Sequence, residues 1–156
     1  MTVTTSKPDQ HGTVTITTDT YTIRIQPRGY YEPMPTAAYV DDSLAASTDP
    51  ELARLAADEA ALGDRRYAQR GEHPEVDALY DRLNERIASV KLRLAREVLP
   101  LLAGVVDGDL SVGAIDTLYF SKHAGCDMCP CSPGVVVPGS LALGGARADI
   151  WITSKG

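Results

Sequence analysis

Aromatic residues are scarce, with one Phe, one Trp and seven Tyr among 156 residues, so aliphatic side chains must fill any core. Basic residues are outnumbered 15 to 21, and the net charge of −6 argues against a general nucleic-acid coater. No stretch approaches the ~18 apolar residues of a membrane helix. The N-terminal MTVTTSKPDQHG is polar and reads as no secretion signal. The expectation is therefore a soluble, cytoplasmic protein with no membrane partner. Cysteines number only three, an odd count that, in a reducing compartment, argues against a disulfide framework. With 44% hydrophobic and 23% charged residues the chain is neither disordered nor fibrous. Its length suits one ordinary domain rather than two large ones, and no internal repeat is visible.

Residues 1–12 read as a flexible tail, and residues 13–156 as a single α+β domain. TVTITTDTYTIRIQP alternates by twos and is dense in β-branched residues. It predicts a hairpin with Val14 and Ile16 on one face of its first strand, Tyr21, Ile23 and Ile25 on one face of its second, and a turn near Thr18-Asp19. Residues 27–47, with Tyr30, Tyr31 and Tyr39 among prolines, read as a long irregular segment that packs on the core or meets a partner. Asp49-Pro50-Glu51 is a helix start, an N-cap followed by Pro and an acid. The short helix after it turns Leu52, Leu55 and Leu62 inward. His73-Pro74-Glu75 repeats the signal for a longer helix, whose apolar residues Val76, Leu79, Tyr80, Leu83, Ile87, Val90, Leu94, Val98 and Leu101 form one stripe. Pro100 and Gly104 mark its end. Ile115, Leu118 and Phe120, then Val135–Val137, then Ile150, Trp151 and Ile152 predict three further strands. Elements in runs imply an antiparallel sheet, built from the N-terminal hairpin and C-terminal strands and packed against a two-helix hairpin, with a cysteine-rich metal loop.

All three cysteines stand within six residues in KHAGCDMCPCSPG. With His123 the pattern is H-x2-C-x2-C-x-C, so His123, Cys126, Cys129 and Cys131 form a Cys3His set suited to tetrahedral zinc. Pro130 and Pro133 stiffen the segment, and Gly125 and Gly134 relieve its backbone. Cys129 and Cys131 need a turn at Pro130 to converge. Four ligands within nine residues are crowded, and His73, His11, an Asp or another subunit are alternative sources of the fourth. An iron–sulfur cluster is the rival cofactor, and a metal-free thiol site or one for a soft ion such as Cu(I) is a third reading.

Over residues 119–137 this box resembles a segment of small proteins encoded by bacteriophages of high-GC hosts, and the excess of Arg over Lys, 11 against 4, fits such a genome. The resemblance implies a phage accessory or virion-associated protein, in the host cytoplasm or the virion, with metal ligands at Cys126, Cys129, Cys131 and His123. The leading functional expectation is a small, zinc-stabilised, non-enzymatic interaction protein that binds a protein partner or assembles with itself. The alternatives are an iron–sulfur or thiol redox sensor and a nucleic-acid-binding accessory protein.

Other constellations fail on their own chemistry. Asp107, Asp109 and Ser111 open like a calcium loop, but Val112 and Leu118 stand where Gly and Glu are required. PGSLALGGARAD lacks the G-K-[ST] of a phosphate loop, and Ser140 lacks a nucleophile frame. Asp41-Asp42 read as a solvated loop. On the long helix Arg82, Arg86, Arg93 and Arg96 share one arc, read either as a solvated face with Glu85 and Glu97 as partners or as a docking edge for phosphate or an acidic surface. The apolar stripe also permits self-association.

Overall fold

The computed structural model describes residues 2–28, 36–62, 74–108, 110, 117–119, 134–137 and 141–155. Strands β2 (Val14–Thr17) and β3 (Tyr21–Pro27) form the expected hairpin. At its turn the Thr18 hydroxyl accepts from the backbone N–H groups of Tyr21 (2.8 Å) and Thr20 (3.1 Å), which closes the corner without glycine. β1 (Thr4–Thr5), within the segment read as a tail, pairs with β2 through Thr4↔Thr17 and Thr5↔Ile16.

β8 (Ala146–Ser154) is the axis of the sheet. It runs antiparallel to β3 over seven register pairs and parallel to β4 (Thr36–Val40) on its other side. β4 then pairs with β6 (Gly134–Val137), and β6 with β5 (Thr117–Tyr119), both antiparallel. The order is therefore β1-β2-β3-β8-β4-β6-β5, with β7 (Ala142–Leu143) attached to β8. Register aligns the inward residues in rows. Ile16, Ile23, Ile152 and Val40 make one, and Val14, Ile25, Ile150 and Ala38 another, all of them buried. Each such isoleucine stabilises the fold by roughly 2–3 kcal/mol relative to exposure.

Among the described residues, three helices cover that inner face. α1 (Asp42–Thr48) is capped by Asp41, whose carboxylate accepts from the Leu44 N–H at 3.2 Å. α2 (Pro50–Leu62) buries Leu52 and Leu55, and α3 (Pro74–Val98) buries Leu83, Val90, Leu94 and Val98. A 3-10 turn, Leu99–Leu102, ends α3 where Pro100 cannot donate. These side chains and the sheet's inward rows, Val14 apart, form one cluster. The architecture is α+β, as the run-like order of elements implies. Among the described residues no helix is long and apolar enough to cross a membrane.

Residues 27–47 depart from the reading as an irregular segment. Thr36–Val40 is a central strand, and Asp42–Thr48 is a helix. The strand escapes a periodicity search because Ala37 and Ala38 are both buried and carry little β-propensity. The seven-residue helix is too short to show a stripe. Asp41 and Asp42, expected in a solvated loop, begin that helix. Tyr80, counted in the apolar stripe, is 42% exposed, and Leu62 and Leu101 are only half-buried. Ile115 and Phe120 lie outside the described residues.

Candidate functional site

The sequence concentrates its chemistry between β5 and β6, and those strands define the frame of the candidate site. They pair antiparallel through Thr117↔Val136, Leu118↔Val135 and Tyr119↔Gly134. Tyr119, the last described residue of β5, and Gly134, the first of β6, thus stand directly opposite each other. His123, Cys126, Cys129 and Cys131 stand between these two positions in sequence and lie outside the described residues, as do His73, Asp109 and Ser111. His11 is exposed just before β2. β2 is four strand positions from β6, roughly 19 Å at ordinary strand spacing. Among the described residues no three His, Cys, Asp or Glu side chains cluster in a way that could hold a metal ion. Asp107, the first residue of the rejected calcium pattern, has its backbone paired with Ala142, N–H to O at 2.9 and 2.8 Å.

Two of the four arginines of the α3 arc, Arg86 and Arg93, join helices. Asp49 is buried, and its carboxylate caps α2 by accepting from the Leu52 N–H at 2.8 Å. The same carboxylate accepts from Arg86, through Nε at 3.0 Å and through Nη2. Arg86 Nε also lies 3.6 Å from Glu51. The Arg86 guanidinium, aided by the Leu52 N–H, holds the Asp49 carboxyl below the usual carboxylate range. Arg93 donates to the Thr48 hydroxyl at 3.2 Å. Arg86 and Arg93 therefore stitch α3 to the elbow between α1 and α2, with Asp49, Glu51 and Thr48 as partners. Arg82 and Arg96 are exposed on the same helix. Glu97 accepts from the Tyr21 hydroxyl at 2.9 Å. Burial and that carboxylate push the Tyr21 phenol up to about 12.

Lys91 was not singled out from sequence. It has no exposed surface, and its ammonium donates to Asp42 at 2.5 Å, while the Asp42 side chain is 67% exposed. The available signal was positional, since Lys91 falls four residues after Ile87 and three before Leu94, on the buried stripe.

The opposite face of the sheet carries the alternate residues. Tyr39 and Trp151, register partners on β4 and β8, stack with centroids 5.3 Å apart and planes at 27°. Arg24 is the partner of Trp151 on its other side and is exposed. One pair along, Arg28 grips Asp149 with Nε at 2.8 Å and Nη2 at 2.7 Å, and Asp149 also accepts the Ala37 N–H at 3.0 Å. The bidentate pair ties the end of β3 to β8, and the Ala37 N–H on the same carboxylate holds β4 against β8 where β4 begins.

No protein-family model, curated protein or solved structure matches the chain.

Proposed function

We propose that this chain is a small metal-stapled interaction protein, in which zinc held by Cys126, Cys129, Cys131 and His123 fixes the segment between β5 and β6. The carrying observation is the pairing of Tyr119 with Gly134. A fourteen-residue segment whose ends are already opposed has lost much of its closure entropy, so a metal has less ordering left to impose. The donor chemistry supports zinc, because three thiolates and an imidazole complete a tetrahedral set. The fixed segment would serve as a contact surface for a protein partner or for another copy of the chain. The resemblance to small phage-encoded proteins supports an accessory or virion-associated role.

Elemental analysis with an absorbance spectrum, on untagged protein purified anaerobically, tests this reading. About one zinc per chain without visible absorbance is expected from a single tetrahedral site. Iron with a broad band near 400 nm, as sulfide-to-iron charge transfer gives, would replace the reading by a redox or sensing one. Protein free of metal overturns both. Cys129→Ser should release the metal and lower the melting temperature, and unchanged melting at unchanged metal content would refute a stapling role.

A further inference from the structure

Charge is divided unequally between the two layers. Helices α1, α2 and α3 carry nine carboxylates and six cations, whereas β3, Arg28 and β8 carry three arginines and one carboxylate, Asp149. The register places Arg24, Asp149 and Trp151 on the outer face, away from the inward isoleucine rows. With Asp9, whose carboxylate interacts with Arg24, the count beside β3 and β8 becomes three arginines to two carboxylates, still unlike the overall −6.

We propose that the outer face of the sheet is a platform for single-stranded nucleic acid. A base stacks on the Trp151 indole, Tyr39 supports that ring from the neighbouring strand, and Arg24 binds the adjoining phosphate. Thr15, Arg24, Trp151 and Tyr39 form one continuous register row across four strands. Base–aromatic stacking and a cation on the backbone are the two contacts that sequence-tolerant single-strand binders combine. Trp151 is half-buried, so its ring is held in place while part of it meets solvent. The flanking positions Thr22, Gln26 and Thr153 offer hydroxyls and an amide, where the core of a protein–protein interface would need apolar surface. The site is distinct from the arginine arc, in which Arg86 and Arg93 already hold the helix elbow.

Trp151 is the only tryptophan in the chain, so its fluorescence reports this site alone. Titration of the full-length protein with a short oligothymidylate should quench that emission saturably. The affinity should fall as salt rises from about 50 to 200 mM, because bound phosphates release counterions. Arg24→Ala, at an exposed position, should weaken binding about tenfold, the scale of one charge-assisted hydrogen bond. Arg93→Ala, on the helical side, should leave the affinity unchanged. Absence of quenching in a folded protein, or equal binding by wild type and Arg24→Ala, overturns the proposal. So does quenching by a neutral oligosaccharide or an uncharged peptide but not by the oligonucleotide. None of these residues is among the proposed metal ligands, so the Arg24→Ala comparison tests this face separately from the metal analysis.

Discussion

Lys91 places an ammonium at the bottom of the α3 stripe, and Asp42 on α1 reaches it from a largely solvated position. The pair is asymmetric, since the lysine is the desolvated partner and the aspartate its link to water. Asp42→Ala should cost about 1–2 kcal/mol in urea unfolding, less than the 3–5 expected when a fully buried partner is removed, because water can approach the vacated place. Lys91→Met, which keeps the volume and removes the charge, should stay within about 1 kcal/mol of wild type or exceed it. Asp49 acts differently, with its folded value below the ordinary 3.8 chiefly through Arg86. A lowered carboxylate contributes stability that is present above about pH 4 and lost as pH falls through the folded value. Asp49→Asn keeps a capping side chain, and should show lower stability at neutral pH with a shallower acid decline in melting temperature between about pH 4 and 2. Sequence spacing revealed Asp49 as a cap but not its bond to Arg86, because a contact 37 residues apart leaves no local pattern.

At the scale of elements, β4 shows how size can matter more than propensity. Ala38 is wholly buried, with Ile150 beside it on β8 and α3 packed near β4. Its small side chain lets the helix layer approach the sheet. Ala38→Leu should therefore destabilise the protein by about 1–3 kcal/mol through overpacking, measured as a lower urea midpoint at unchanged slope. The strands that sequence did reveal, β2, β3 and β8, alternate isoleucine with threonine or charge. α2 and α3 announced themselves through Asp49-Pro50 and Pro74 and through leucines at helical spacing. β4 and α1 gave no such signal, since two adjacent alanines fit either element and a seven-residue helix spans under two turns. The paired acids before α1 carried the missing information, because one caps the helix and the other meets a lysine that only the tertiary fold brings near.

For the whole molecule, the α+β class was legible because strands and helices come in runs, whereas strand order was not. Nothing in Ala146–Ser154 says that it lies between β3 and β4, or parallel to one of them. Of the cysteine box the fold adds only that Tyr119 and Gly134, which flank its segment in sequence, are register partners. The aromatic pair was missed because Tyr39 and Trp151 are 112 positions apart, and only register makes them neighbours. The position of β8 also bears on how the chain is made. On the ribosome, β3, β4, α1, α2 and α3 emerge before residues 146–154 exist. Until then β3 and β4 each present a strand edge that only β8 covers, and the isoleucines of the hairpin lack the row that seals them. The nascent chain must therefore hold an open, sticky half-sheet until β8 slides into the middle. Synthesis that stalls within that window should leave a species prone to capture by chaperones or by its own siblings.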